Sequence, residues 1–194
     1  MRREVFSYML LMYLSMLQTD EERAFFTKLY TKYRYQMFRV AKKYLHNEFD
    51  AEDIVHDIFK IVADDHLRDL ENRTDADVRR FLLCCAKNRS LNLMKSRSKI
   101  VSLDALMEQG WDEIDLNKDP IDEIIADQAL TKQAEEAISG LDPMYGEPLW
   151  LHLKGFSTAD VSKLFNENYE TVKKRTYRAK LLLRKAVLGE GGEA

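Results

Sequence analysis

The sequence predicts an all-α protein made of two small helical domains. Apolar residues recur at helical spacing, polar capping residues precede those segments, and only 7 Gly and 3 Pro interrupt 194 residues. Hydrophobic residues make up 45% of the chain, which is enough for a core, and 32% of the residues are charged. An all-β sandwich or a doubly wound sheet needs more tight turns than this composition provides, so both are disfavoured.

The first domain is predicted at residues 19–97, as three helices. Thr19 and Glu22 form a capping box at the start of the first helix, and Asn47 offers its stop. The caps expected for the second and third helices are Asp50 and either Thr74 or Asp75. Three apolar stripes are expected to form the core: Phe26, Leu29, Tyr30, Tyr33, Met37, Val40, Ala41 and Tyr44; Ala51, Ile54, Val55, Ile58, Phe59, Ile61 and Val62; and Val78, Phe81, Leu82, Cys85 and Ala86.

An acidic, weakly periodic segment at 98–119 is interpreted as a linker, and it leads to a second helical domain at 120–188 and a tail at 189–194. The positions expected to begin or end the helices of this second domain are Gly140, Pro143, Gly155, Ser157 and Asn168. Its expected inward stripes are Ile121, Ile124, Ile125, Ala129, Leu130, Ala134 and Ile138 in the first helix, and Val172, Thr176, Ala179, Leu183 and Ala186 in the last.

The remaining 18 residues at the amino terminus are expected to be a short amphipathic or loosely ordered lead-in. They superficially resemble a signal peptide but lack an A-x-A-like cleavage site. No run of about 18 apolar residues occurs, so we expect no membrane insertion. The adjacent Cys84 and Cys85 cannot form a disulfide framework, which favours a cytoplasmic location.

Charge is distributed in blocks that the net value of −3 conceals. Residues 27–47 carry +6, residues 48–77 carry −8, residues 78–99 carry +7, residues 102–140 carry −9 and residues 170–187 carry +6. A Debye length of about 10 Å keeps such patches electrically distinct. A mildly acidic protein can therefore present cationic faces to phosphate groups.

Residues 157–187 predict a helix-turn-helix, with a turn at 166–168 between a short capped helix and a longer one. The amino-terminal part of such a second helix reads base edges, while basic residues beside it contact phosphates. The candidates for reading bases are Glu170, Thr171, Lys174, Arg175 and Arg178, and those for phosphate contacts are Lys173, Lys180, Arg184 and Lys185.

Three stretches of the second predicted domain form a recognisable pattern: Leu141-Asp-Pro-Met-Tyr-Gly-Glu147, Gly155-Phe-Ser-Thr-Ala-Asp-Val161 and Glu170-Thr-Val-Lys-Lys-Arg-Thr-Tyr-Arg-Ala-Lys180. They are similar to the −35-reading domain of bacterial sigma factors. Two stretches of the first domain resemble the family's "A-E-D-x-V-Q-D-x-F" and "W-L-x-x-I-A-R-N-x-x-x-D-L" segments: Ala51-Glu-Asp-Ile-Val-His-Asp-Ile-Phe59 and Phe81-Leu-Leu-Cys-Cys-Ala-Lys-Asn-Arg-Ser-Leu-Asn-Leu93. The two-domain layout, without a middle domain, resembles the extracytoplasmic-function (ECF) group.

The resemblance implies three sets of functional residues. An acidic helix would dock on the clamp helices of core RNA polymerase through Glu52, Asp53, His56, Asp57 and Phe59. The third helix would hold the non-template strand of the −10 element and capture a flipped base through Phe81, Lys87, Asn88, Arg89, Asn92 and Lys95. The −35 element would be read by Tyr169, Glu170, Thr171, Lys173, Lys174, Arg175 and Arg178.

Several residues depart from the family pattern. Phe81 replaces a tryptophan and Asn92 an aspartate, whereas Asn166 and Glu167 replace a glycine and an apolar residue in the turn. Asn166 tolerates a left-handed backbone, and Glu167 is expected to point outward. The bulky Tyr169 at the helix start is expected to alter which bases are read.

Together, these observations and the resemblance predict a transcription initiation factor whose partners are core RNA polymerase and promoter DNA. A stand-alone helix-turn-helix regulator and a helical adaptor that binds only proteins remain as alternatives. The existence of an anti-sigma partner, common in this family, is left open. The four histidines, His46, His56, His66 and His152, lack zinc-site spacing, and no phosphate-binding glycine loop occurs, so we expect neither an enzyme nor a metal or other cofactor.

Overall fold

The computed structural model of the chain describes residues 3–98 and 128–188. The chain divides into two compact units, Met1–Lys99 and Ile100–Ala194. Within the described ranges the secondary structure is helical and contains no strand, so the predicted all-α class is confirmed. Most of the predicted linker, the tail, and the isoleucines expected at 121–125 lie outside the described residues.

The first unit consists of α1 (Arg3–Met16), α2 (Asp20–Leu45), α3 (Glu48–Ile61), α4 (Leu67–Glu71) and α5 (Asp75–Ser98). A π-helical turn at Val62–His66 joins α3 to α4. The core forms where α2 packs against both α3 and α5. All residues of the three predicted stripes are buried there except Val40 and Tyr44, which are half-buried. Burial of each large apolar side chain contributes roughly 1.5–3 kcal/mol.

Local hydrogen bonds explain where α2 and α3 begin. The capping box is confirmed, since the Glu22 N–H donates to Thr19 Oγ1 at 3.1 Å and the Thr19 N–H donates to Glu22 Oε2 at 3.2 Å. The prediction that Asp50 caps α3 was wrong. Asn47 caps it instead, by accepting the Phe49 N–H at 2.9 Å, so α3 begins two residues before Asp50.

The end of α2 and the start of α5 are also set by local backbone conformation and capping. Residue His46 ends α2 in a left-handed conformation with φ 55°. For α5, Thr74 supplies the cap, because its Oγ1 accepts the Asp77 N–H at 3.1 Å. The sequence had left Thr74 and Asp75 as alternatives, and the structure decides for Thr74.

The amino-terminal lead-in is an ordered part of the first unit. Residues Arg3–Met16 form α1, and its Tyr13 is fully buried. The Tyr13 ring lies 5.3 Å from that of Phe26, 5.7 Å from Tyr30 and 6.4 Å from Phe59, measured between centroids. Tilted aromatic pairs at such distances contribute beyond their buried area. Helix α1 therefore contributes to the core of the first unit together with α2, α3 and α5.

The second unit consists, over its described part, of α6 (Gln128–Gly140), α7 (Pro143–Leu153), α8 (Thr158–Phe165) and α9 (Tyr169–Leu188). Helix α9 packs against the other three, and its Val172, Ala179 and Leu183 are fully buried. Thr176 is buried as expected, whereas Ala186 is exposed.

The starts of α7 and α8 agree with the sequence. Pro143 occupies the first turn of α7, and Ser157 caps α8 through a box with Asp160. Gly146 lets α7 approach α6 closely, because a Cβ at this position would lie 2.8 Å from the Ile138 carbonyl oxygen. The hairpin of α6 and α7 therefore depends on a residue without a side chain here.

Candidate functional site

Helix α3 presents an acidic face formed by part of the set predicted to bind polymerase. Asp53 is exposed, and Glu52, His56 and Asp57 are partly exposed. The helix buries its other side because Ala51, Ile54, Val55 and Ile58 follow the helical period. Phe59 belongs to that inner side and is fully buried, so the structure gives it a core role.

Two ion pairs join the acidic helix to the basic helix α5. Asp57 Oδ2 lies 2.8 Å from Arg89 Nη2, which links the set predicted for polymerase to the set predicted for the −10 element. About two helical turns away, nearer the start of α3 and the end of α5, Arg97 forms a bidentate pair with Asp50, one contact measuring 2.8 Å from Nη2 to Oδ1. The hydrogen bonds from Arg97 hold the pKa of the Asp50 carboxyl below its usual value.

The α1 helix also supports α3, a contact that sequence reasoning missed. The Tyr13 hydroxyl donates to the His56 carbonyl oxygen at 3.2 Å, and the Tyr13 and His56 rings lie 5.5 Å apart. Burial raises the pKa of the Tyr13 phenol. The i, i+4 spacing of Tyr13 and Leu17, both buried, is the signal that could have predicted this inward face.

Helix α5 keeps most of the residues predicted for the −10 element at the surface. Lys87, Asn88, Arg89, Asn92 and Lys95 are all partly exposed. Asn88 donates from Nδ2 to the Cys84 carbonyl oxygen at 3.0 Å. Phe81 differs from the others because it is fully buried in the core and offers no ring face for stacking on a base.

The start of α5 is fixed to α2 by a carboxylate that accepts two hydrogen bonds. Asp75 Oδ1 lies 2.6 Å from the Tyr33 hydroxyl and 2.5 Å from Lys32 Nζ. These bonds lower the pKa of the Asp75 carboxyl, with the larger part from Lys32. The ionised Asp75 carboxylate therefore fixes the start of α5 to α2.

Helices α8 and α9 are joined by a turn at 166–168, where the sequence predicts a helix-turn-helix. Asn166 is left-handed, with φ 53°, as expected from the substitution of the family's glycine. Asn168 caps α9 by accepting the Glu170 N–H at 2.8 Å. The expectation that Glu167 points outward was wrong. Its side chain is only 12% exposed, and its Oε2 lies 2.7 Å from Arg175 Nη1.

The predicted −35 residues lie on two sides of α9. Tyr169 and Glu170 are exposed at its start, and Thr171, Lys173, Lys174 and Arg178 are partly exposed. Arg175 is buried against the turn. Lys180, a predicted phosphate contact, is buried as well, with its Nζ 3.2 Å from His152 Nε2.

The described residues hold no group of three or more His, Cys, Asp or Glu side chains that could bind a metal ion. Over the same ranges, no helix is both long and apolar enough to cross a bilayer.

Part of the first unit is similar to a known domain family. Residues 29–100, from the middle of α2 through the end of α5, match the family model for Sigma-70 region 2. No curated protein and no solved structure matches the chain.

Residues 29–100 are therefore similar to sigma-70 region 2, and this similarity supports a sigma factor. Sigma factors are non-enzymatic initiation factors that act with RNA polymerase at promoters. The matched range contains both the acidic face of α3 and the basic surface of α5.

Proposed function

We propose that this chain is a sigma factor of the ECF type, which binds core RNA polymerase, recognises the −35 and −10 elements and assists promoter opening. The observation that carries the proposal is the region 2 match over a unit whose α3 exposes an acidic face beside a basic α5. The helix-turn-helix of the second unit supplies a second DNA-binding element in the order this class requires.

Polymerase binding is proposed for the side chains that α3 exposes. Glu52, Asp53, His56 and Asp57 lie on that face, and a carboxylate surface suits a basic partner surface. Phe59 supports the face from within the core and does not contact the partner.

Promoter opening is proposed for α5. Its cations and asparagines, Lys87, Asn88, Asn92 and Lys95, are accessible to a single strand, and a cationic groove tracks a nucleic-acid backbone. Arg89 joins this set when its pair with Asp57 opens.

Recognition of the −35 element is proposed for the outward residues of α9. The accessible set is Tyr169, Glu170, Thr171, Lys173, Lys174 and Arg178. Their position at the start of the second helix of a helix-turn-helix is the position that enters a major groove. Arg175 is left out of this set because it is buried against the turn.

Capture of bacterial core RNA polymerase tests the proposal. We would compare the wild-type chain with Asp53→Arg, which reverses an exposed charge on α3, and with Glu71→Arg, which reverses an exposed charge at the end of α4. Asp57 is avoided because its substitution would also break the pair with Arg89.

The expected result is equal capture by the wild type and Glu71→Arg, and binding at least about tenfold weaker for Asp53→Arg, because like charges facing each other at an interface are costly. Capture of Asp53→Arg at the wild-type level would contradict the docking role of α3. Failure of the wild type to bind, together with tight binding to duplex DNA alone, would support a stand-alone regulator.

A further inference from the structure

A nearly buried ion pair connects the turn of the helix-turn-helix to its second helix. Glu167 Oε2 and Arg175 Nη1 are 2.7 Å apart, and the two side chains are 12% and 10% exposed. Eight residues separate them along the chain, so the pair spans the turn and the first part of α9. Removing one member of a buried pair leaves the other charge uncompensated, which makes such a pair a strong geometric constraint.

The carboxylate end of the pair is itself held in place. The Glu167 N–H donates to the Ser162 carbonyl oxygen at 3.0 Å, and the Ser162 hydroxyl donates to the Glu167 carbonyl oxygen at 2.6 Å. The preceding Asn166 is fixed in a left-handed conformation. Ser162 of α8 therefore fixes both backbone polar groups of Glu167, its N–H and its carbonyl oxygen.

The arginine end lies on the inner side of α9. Arg175 shares that side with Val172 and Ala179, which are fully buried. Lys174 and Arg178, the nearest basic residues of the outward set, are one and three positions away from it. A rotation of α9 that moves Arg175 therefore moves both outward side chains relative to the first helix of the motif.

We propose that Glu167 is a positioning residue for −35 recognition: through Arg175 it sets the orientation of α9 and contacts no DNA itself. This inference rests on the proposed function. Small displacements of positioned groups have large effects on the interactions they make. A direct role for Arg175 predicts the opposite sign, because Glu167 would then withhold a DNA contact and its loss would strengthen binding.

The test measures the affinity of the complex between the full chain and core polymerase for two duplexes. One carries a −35 element enriched from a randomised pool by the wild-type complex, and the other carries the same bases in scrambled order. The variants are Glu167→Gln, which keeps the side-chain shape without charge, and the double variant Glu167→Leu with Arg175→Met, which replaces the ion pair by an apolar contact. Helical content is followed by circular dichroism.

We expect Glu167→Gln to reduce the ratio of the two affinities by roughly fivefold or more. The double variant is expected to return to within about twofold of the wild type, since well-packed apolar residues can replace a buried pair. The dependence of affinity on salt concentration is expected to have the same slope in the double variant and the wild type. Loss of one phosphate contact would instead reduce that slope by about one.

Three results would overturn the inference: an unchanged ratio in Glu167→Gln, a ratio that increases, or a double variant that stays defective. If Glu167→Gln loses helical content, the affinity ratio of the double variant still tests the inference, because the double variant needs no ion pair to fold. Failure of the wild-type complex to distinguish the two duplexes would instead refute the proposed −35 function, so the two failures are distinguishable.

Discussion

Each of the two units places an arginine of a predicted DNA-binding helix against a carboxylate, but the two pairs differ in exposure. In the first unit, Arg89 is 12% exposed while its partner Asp57 is 49% exposed. In the second unit, both Arg175 and Glu167 are nearly buried. A half-exposed carboxylate can exchange its arginine for water or a partner protein at little cost. A buried carboxylate cannot, so the first pair is suited to open on binding and the second to hold a helix in place.

The largest expected effect comes from breaking the buried pair. Replacing Arg175 by Ala leaves the Glu167 carboxylate buried without its cation, so we expect the second unit to lose about 3 kcal/mol of unfolding free energy. Urea denaturation can be followed through the fluorescence of the buried Trp150, in a Trp111→Phe background that removes the chain's other tryptophan.

The matched control for this variant is Arg175→Met with Glu167→Leu. We expect its unfolding free energy to lie within about 1 kcal/mol of the parent, since neither charge of this pair remains. A loss of less than about 1 kcal/mol in Arg175→Ala would show that the pair constrains nothing.

The outward side of α9 provides the second prediction. Lys174→Ala plus Arg178→Ala is expected to weaken selective −35 binding by about 2 kcal/mol, or roughly thirtyfold, because base contacts carry sequence discrimination. Binding to core polymerase is expected to stay unchanged. The measurement compares the affinity of the chain–polymerase complex for selected and scrambled −35 duplexes.

Arg184→Ala plus Lys185→Ala, two exposed residues further along α9, is the control for that variant. We expect this control variant to bind both duplexes more weakly by the same factor, because phosphate contacts do not depend on sequence. Unchanged selectivity in the Lys174 and Arg178 double variant would refute the assignment of α9 as the recognition helix.

Breaking the half-exposed pair of the first unit is expected to have a smaller effect. Asp57→Asn keeps the side-chain shape and removes one charge that water already reaches. We therefore expect the first unit to lose at most about 1 kcal/mol of unfolding free energy. Hydrogen–deuterium exchange of peptides from α3 and α5 measures it. A loss as large as that of Arg175→Ala would remove the distinction between the two pairs.

Acid sensitivity of the first unit is the smallest expected effect. Arg97 lowers the pKa of Asp50, and Lys32 and Tyr33 lower that of Asp75. Because folding favours the charged forms, their contribution is present above the ordinary pKa of 3.8 and is lost as the pH falls through the lowered folded values. Asp75→Asn is therefore expected to flatten the loss of exchange protection in α2 and α5 below about pH 4. An acid response identical to that of the wild type would contradict this account.

Periodicity predicted the helices of both units well, because each inward stripe must bury its apolar side chains whatever the detailed packing. Competition between neighbouring caps was harder to predict. Asn47 and Asp50 are both good capping residues, and Asn47 caps α3 directly after His46 ends α2 in a left-handed conformation. Asn166 could be predicted as left-handed because its side chain tolerates that backbone conformation.

The direction of individual polar side chains could not be read from the pattern. Glu167 turns inward because a turn brings Arg175 to it, a juxtaposition that exists only in three dimensions. Arg175 and Lys180 were predicted as DNA contacts from their positions on the second helix, yet both lie on the inner side of α9. Phe81 matches a family position and still belongs to the core. Motif matching thus proposed candidate surfaces but could not tell which of their residues are exposed and which are buried.

Transcription by bacterial core RNA polymerase from templates with randomised upstream sequence tests the central claim most directly. We expect transcripts that depend on the added chain, from templates enriched in two separated sequence blocks, with Glu71→Arg as active as the wild type and Asp53→Arg inactive. Transcription that does not depend on the chain, or that Asp53→Arg supports as well as the wild type, would contradict the account.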